Sequence, residues 1–382
     1  MLQAGVMTDV HADPLESLRA RTSEKWATFG PDVLPLFVAE MDYPLAPVVA
    51  QAIIDRVAAS DTGYVSSPLP VGEAFAGFAQ RRWSWTVDPS GVRLATDVSV
   101  AIVETLRRVL SPGEPVVITS PVYPPFFDFP VEAGGVALDV PLVDASLDFA
   151  GLEAAFAGGA RAFLLCNPHN PLGLVHSRQS LAALAELAAA YDVIVLSDEI
   201  HGPLAHPGAT FTPYLSVSDA ARDHGITVTS ASKAWNIAGA KCALLVTAGD
   251  RMSQLLSGLY EEVAFRTSQL GLHANAAAFE HGDEWLAAAV DAVVESSALL
   301  ESLLKARLPG VVYRPAEASY LAWLDFRGEP DWGDDPARRA LAAGVALNSG
   351  LAFGAQGAGF ARLNLACSPE VLTEAIGRLA RG

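Results

Sequence analysis

Between residues 115 and 247 the chain alternates short apolar runs with Ala/Leu-rich stretches, and this alternation constrains the fold more than any other feature. The runs are Pro115–Thr119 (PVVIT), Arg161–Cys166 (RAFLLC), Asp192–Ser197 (DVIVLS), Ile226–Thr229 and Lys241–Thr247 (KCALLVT), while Ser177–Ala190 has helical periodicity. A strand that is apolar on both faces must be covered on both faces, and helices between such strands provide the cover. The pattern predicts an α/β fold with a mostly parallel, mixed sheet sandwiched by helices. In such sheets ligands bind beyond the carboxyl ends of the strands. The unusual polar clusters of this sequence fall at those ends.

Downstream the rhythm changes. Trp285–Leu308 reads as a long amphipathic helix, Ser319–Asp325 as a strand, Phe326–Pro336 as a Gly/Pro-rich connection, Arg362–Ala366 as a strand and Pro369–Leu379 as the last helix. This is read as a second, smaller α/β domain. A length of 382 residues leaves room for it. The first 50 residues are Pro-rich, lack the βα rhythm and are expected to join it, so the small domain draws on both termini. The expected division is 1–50 joining the small domain, 51–276 the large domain and 277–382 the small domain.

Formal charge is 25 − 43 = −18. A chain this acidic is a poor match for nucleic acid or an anionic membrane. It can still take an anionic substrate, because a few local cations override the global field. Three cysteines, Cys166, Cys242 and Cys367, are widely spaced with no CxxC. Neither a disulfide framework nor a metal site is expected, and a reducing, cytoplasmic compartment fits. Met1–Val10 has no basic n-region and no apolar h-region, so no signal peptide is expected, and Met7 offers an alternative start. No run approaches the ~18 apolar residues of a membrane span.

Lys233 lies in Ser230-Ala231-Ser232-Lys233-Ala234-Trp235-Asn236, just beyond the run Ile226–Thr229. That position suits a Schiff base with an aldehyde cofactor better than a solvated charge, since a desolvated lysine gives up its proton readily. A plain loop lysine is the simpler alternative. Ser230 and Ser232 offer hydroxyls for a phosphate, and Lys241 follows eight residues on. Asn167-Pro168-His169-Asn170-Pro171-Leu172-Gly173 reads as a rigid turn with exposed amides. Asp198 and His201 end the most hydrophobic run of the chain. A carboxylate there is costly unless paired with a cation such as a pyridinium nitrogen. An N-cap of Ile200–Leu204 is the alternative for Asp198.

Small residues in Val98–Thr105 open a predicted helix, Val103–Leu110, whose amino end suits a phosphate. Tyr123 either stacks on a bound ring or fills the core. Arg362 is the one charge in a long apolar stretch and suits a bidentate grip on a carboxylate, or else an internal ion pair.

Taken together these segments resemble the fold-type I enzymes that use pyridoxal 5′-phosphate, and within them the aminotransferase class I/II family. The resemblance runs along nearly the whole chain: Tyr64 after Gly63, the small-residue loop, Pro121-Val122-Tyr123, NPHNPLG, SDEIH, the SxSK of Ser230–Lys233, then Arg362. It implies the following. Lys233 is the Schiff-base lysine and the acid/base at the substrate's α-carbon. Asp198 partners the pyridine nitrogen, Asn170 the phenolic oxygen, and Tyr123 stacks on the ring, which makes Lys233, Asp198 and Tyr123 the catalytic set. Ser230, Ser232, Lys241 and the backbone of Ala101, Ile102 and Val103 hold the phosphate. Arg362, with Asn170 and Tyr123, binds the substrate carboxylate. Tyr64 reaches a neighbouring subunit's phosphate, which implies a homodimer with active sites at its interface.

Many aminotransferases carry a tyrosine three residues after the aspartate, and here that position is His201. With SDEIH, NPHNP, Phe37–Pro44 (FVAEMDYP) and Arg362–Cys367 (RLNLAC), the chain resembles the cystathionine β-lyase-type cysteine–sulfur lyases. Two departures are Ala101, where a glycine is common, and Lys241, where an arginine is common. The resemblance implies β-elimination from an L-cysteine thioether to a thiol, pyruvate and ammonia. The alternative on the same scaffold is an aminotransferase. A binding or regulatory protein that has kept the pocket is disfavoured by the intact Lys233, Asp198 and Arg362.

Overall fold

The computed structural model describes residues 9–381, so the readings of Met1–Val10 and Met7 fall, apart from Asp9 and Val10, outside the described residues. Among these residues the strands in chain order are β1 (Leu34–Pro35), β2 (Val92–Ala95), β3 (Pro115–Ile118), β4 (Val136–Asp139), β5 (Ala162–Cys166), β6 (Ile194–Asp198), β7 (Gly225–Thr229) and β8 (Ala243–Val246). Then come β9 (Val312–Tyr313), β10 (Leu321–Asp325), β11 (Val345–Ala346), β12 (Asn348–Ser349) and β13 (Phe360–Asn364).

The main sheet has seven strands in the order β2-β8-β7-β6-β5-β3-β4. Neighbours from β4 through β7 run parallel, while β8 runs antiparallel to both β7 and β2. Every residue of β5, β6, β7 and β8 is buried, as the continuous apolar runs require. The helix Arg178–Ala190 covers the sheet with Leu181, Leu184, Ala185 and Ala188, which recur on one face at helical spacing, and Ser177 caps it by accepting from the Ser180 amide.

The expected strands map onto β3, β5, β6, β7 and β8 with shifted ends. β6 extends to Asp198, so the carboxylate closes the strand rather than following it. The run expected from Lys241 begins as a strand only at Ala243, because Lys241 sits in the left-handed region at φ 55°. The mostly exposed edge strand β4 was not anticipated.

The second sheet is antiparallel, ordered β12-β13-β10-β9. Its helices fall close to expectation: Asp283–Arg307, with acids in its first turn and Lys305 and Arg307 in its last, and Pro369–Leu379, capped by Ser368. The strand expected at Arg362–Ala366 runs instead from Phe360 to Asn364. Leu365 and Ala366 bond elsewhere, to Tyr320 and to Asp42. Near the amino terminus, β1 pairs in parallel with β11, Leu34 opposite Val345 and Pro35 opposite Ala346. No helix among the described residues is long and apolar enough to cross a membrane.

The segment that follows β1 is anchored by a buried ion pair. Lys25 Nζ lies 2.8 Å from Asp42 Oδ1, and both side chains are fully buried. Trp26 Nε1 donates to the same oxygen at 2.9 Å, and Lys25 donates to the Glu40 carbonyl at 3.2 Å. Burial still raises the Asp42 pKa, with Lys25 opposing it. A buried pair of this kind is far more costly to halve than to keep. Lys25→Met is therefore expected to destabilise the protein by about 3–5 kcal/mol, read as a shift in the urea-unfolding midpoint.

Candidate active site

The carboxyl ends of β5, β6 and β7 frame one cavity. Its wall includes Tyr123, Asn170, Asp198, His201, Ser230, Ser232, Lys233 and Lys241. Asp198, the last residue of β6, lies between Cys166 of β5 and Val228 of β7. Its Oδ1 accepts from the Ile200 amide at 3.1 Å in a local turn, while the short helix that follows, Gly202–Leu204, has His201 and not Asp198 at its N-cap. Burial lifts its pKa to about 7, against the pull of that amide and of Lys233.

Lys233 follows β7 in a turn. Its Nζ donates to the Ala39 carbonyl at 3.1 Å, and the Tyr320 hydroxyl donates to the same oxygen at 3.0 Å. Loss of solvent lowers the lysine to about 8. Arg362 adds to that, while Glu40 and Asp198 oppose it. The His201 ring packs against Tyr320, with centroids 6.1 Å apart. Burial, then the charges of Lys233 and Arg362, hold His201 at about 3, so the ring is neutral, and its buried Nδ1 has no partner.

The Asn167–Gly173 turn delivers Asn170. Its amide donates to Cys166 Sγ at 3.3 Å, and its Oδ1 accepts from Arg362 Nη1 at 3.0 Å. Gly173 has φ 62°, and a Cβ there would lie 2.3 Å from that of Ala316, so only glycine closes this turn. Arg362, on β13, is 3% exposed and stands behind Asn170 rather than among the cavity-lining residues. Its Nη2 donates to the Phe37 carbonyl at 3.0 Å, and its guanidinium sits 5.1 Å from the Phe353 ring centroid. Both hydrogen-bond acceptors are neutral oxygens, so this is not the internal ion pair that the sequence left open. Burial lowers Arg362 to about 10, which still leaves it charged at neutral pH.

The segment Phe37–Met41 crosses the site and presents its carbonyls in succession. Phe37 O faces Arg362, Val38 O faces Asn364, Ala39 O faces Lys233 and Tyr320, and Glu40 O faces Asn364 and Lys25. Asn236 then brackets Met41, accepting from its amide at 2.9 Å and donating to its carbonyl at 2.8 Å. Tyr320 and Asn236 were not anticipated. Their partners are main-chain atoms nearly 200 residues or more away, which leave no pattern in the sequence.

One expectation is corrected at the far end of the cavity. The helix expected from Val103 begins at Val98 and ends at Val109. Asp97 caps it, Oδ1 accepting from the Val100 amide at 2.9 Å. Ala101, Ile102 and Val103 are therefore helix-interior residues buried in the core, and the amides at the open end belong to Val98 and Ser99, which line the cavity with Thr96. An aspartate before an apolar periodic run is a readable start signal, and it points to 97. Ser230, although in the wall, donates its hydroxyl proton to the Cys242 carbonyl at 2.6 Å and accepts from the Ser232 amide at 3.1 Å. It braces the turn, with Asn275 Oδ1 as a second acceptor at 3.2 Å. Tyr123 lines the cavity, and burial raises its phenol. Tyr64 is 86% exposed and does not line the cavity of its own chain.

Residues 31–379 match the model of the aminotransferase class I and II family. The chain belongs to that family. It is 36% identical to the cystathionine β-lyase of Corynebacterium glutamicum, the match covering 96% of this chain and 98% of that one. It is 32% identical to the Bacillus subtilis cystathionine β-lyase PatB over the same shares. Among solved structures, a candidate PLP-dependent β-cystathionase from Corynebacterium diphtheriae superposes with a TM-score of 0.93 at 37% identity, covering 97% of this chain and 98% of that chain. The α/β architecture is thus fold type I of the pyridoxal phosphate enzymes.

The cavity of this family member fits pyridoxal 5′-phosphate on its own chemistry. A buried carboxylate bonded to a single amide lacks a cationic partner, which a protonated ring nitrogen is. A low-pKa amine, a helix amino end and the unpartnered His201 Nδ1 complete a set of groups matching the cofactor's aldehyde, phosphate and ring. In cofactor-free protein, acylation of Lys233 should rise through a midpoint near 8 rather than the 10.5 of a free lysine. Arg362→Met should move that midpoint upward, by removing a neighbouring positive charge. Competitive labelling read by mass spectrometry across pH checks both.

Proposed function

We propose that this chain is a pyridoxal 5′-phosphate-dependent cysteine–sulfur β-lyase, splitting L-cystathionine or a similar L-cysteine thioether into a thiol, pyruvate and ammonia. The observation that carries the reading is the convergence of Lys233, Asp198 and Asn170 on one cavity, with Arg362 bonded to Asn170 behind it. The 36% identity to a cystathionine β-lyase directs the choice among the reactions this scaffold supports.

In this reading Lys233 holds the cofactor's aldehyde carbon, Asp198 its ring nitrogen and Asn170 its phenolic oxygen, while Tyr123 covers the ring. His201 lies beside the ring. The Val98 and Ser99 amides, Ser232 and Lys241 hold the phosphate. When bound, the cofactor supplies an aldehyde for the substrate amine and an electron sink for the α-carbon's pair. The remaining work belongs to the protein. Arg362 takes the substrate carboxylate with its unpartnered Nε and remaining guanidinium protons, and its tie to Asn170 fixes that carboxylate relative to the ring. Lys233, released by the substrate amine, takes the proton from Cα and returns one to the departing sulfur. Its depressed pKa suits it to both tasks near neutral pH. Asp198, ionised once a cation faces it, holds the ring nitrogen's proton. Tyr320 and Lys233 share the Ala39 carbonyl, so the lysine stays aimed at the cavity between steps. The Tyr64 side chain, exposed on its own subunit, completes the site of a second copy in a homodimer, and a cytoplasmic setting suits three buried free cysteines.

The test is pyruvate release from L-cystathionine by the holoenzyme without keto acid, followed with a lactate dehydrogenase couple. Multiple turnovers are expected, with none from Lys233→Ala. Asp198→Asn should lower kcat by about 100-fold or more with a much smaller change in KM, since the charge it holds matters most as the carbanion forms. A single turnover that stops at the amine form of the cofactor would instead make this chain an aminotransferase.

A further inference from the structure

We infer that Asp97 sets how tightly the cofactor's phosphate is held, by dividing the charge of Lys241 between itself and that phosphate. The inference rests on the cofactor reading above and concerns a carboxylate that this chain places inside its own anion cradle.

Asp97 does two things at once. Its Oδ1 caps the helix Val98–Val109 through the Val100 amide, and its Oδ2 lies 3.1 Å from Lys241 Nζ. Both residues line the cavity, at the end where the Val98 and Ser99 amides open. The position of Lys241 is built. Its backbone is held at φ 55°, a conformation that side-chain-bearing residues rarely adopt. The Ser268 amide pins its carbonyl at 3.0 Å. The helix Gln269–His281 packs so closely behind it that a Cβ on Gly271 would lie 1.8 Å from the Ala240 carbonyl. A strained backbone supported from two sides aims this lysine at the helix amino end.

The charges at this end of the cavity then nearly cancel. Lys241 brings one positive charge and Asp97 one negative, and the neutral Ser230 hydroxyl, bonded to the Cys242 carbonyl, adds none. A phosphate here relies on the helix amides and on whatever share of Lys241 the carboxylate releases, and it faces that carboxylate as a like charge. The pair is partly exposed, 52% for Lys241 and 35% for Asp97, so water screens it and the effect is moderate. Asparagine caps a helix as well as aspartate does. Asp97→Asn therefore removes the charge and keeps the cap, freeing Lys241 for the phosphate.

The experiment titrates cofactor-free wild type, Asp97→Asn and the double variant Asp97→Asn/Lys241→Met with pyridoxal phosphate, and in parallel with pyridoxal, which has no phosphate. Binding is read from tryptophan fluorescence and from borohydride-reducible label on Lys233. The expected result is a Kd for pyridoxal phosphate lowered about fivefold in Asp97→Asn, lost again in the double variant, with pyridoxal unaffected throughout. An unchanged or raised Kd for pyridoxal phosphate, or an equal change with pyridoxal, overturns the inference. If the wild type labels Lys233 while Asp97→Asn matches its Kd, the inference alone falls. If the wild type takes up no cofactor at all, the functional reading falls and takes the inference with it.

Discussion

Two ionisable groups of opposite type end up in one water-poor space because neighbouring buried strands stop at the same level. Asp198 closes β6 and Lys233 follows β7, both at the ends of strands that are buried throughout. Desolvation pushes the carboxylate up to about 7 and the amine down to about 8. Each group is thereby brought near the pH at which it exchanges protons readily, and each lacks a full partner until something fills the cavity. The chemistry attributed to the site follows from that shared dehydration more than from any single contact.

The second layer of the site is main chain. From Phe37 to Met41, consecutive carbonyls face Arg362, Asn364, Lys233, Lys25 and Asn236. Carbonyl dipoles orient cations without neutralising them, which a carboxylate in the same place would do. Arg362 and Lys233 thus keep their charge available to a substrate while being held in place. The buried Lys25–Asp42 pair fixes the far end of the segment, which explains why an ion pair remote from the cavity bears on the geometry inside it.

Much of this was legible in the sequence, for a physical reason. Buried parallel strands need unbroken apolar runs, so β3, β5, β6, β7 and β8 announce themselves, and polar residues at their ends stand out against that background. Lys233, Asp198, Asn170, His201 and Lys241 were found in that way and converge on one cavity. What was misplaced or missed has equally specific causes. The helix is expected only from Val103, with Ala101, Ile102 and Val103 beside the phosphate, because the small residues of Val98–Thr105 draw more weight than the capping Asp97 before them. The bonds of Ser230 to the Cys242 carbonyl and to Asn275 were not legible, because both acceptors lie across loops far along the chain. The role of Phe37–Met41 was hidden because backbone oxygens are the same in every residue.

The reversal of β8 has a consequence of its own. Because β7 leaves the sheet at its ligand end and β8 re-enters there in the opposite direction, the whole stretch 230–242 begins and finishes on the same side of the sheet. Lys233 near one end and Lys241 near the other are therefore two posts of a single arch whose feet are both set in the core. Their separation is set by the length and curvature of that arch and by the Ser268 amide that holds Lys241 from outside it. Cofactors with a longer or shorter reach between aldehyde and phosphate could be accommodated by changing the arch while leaving every strand beneath it untouched.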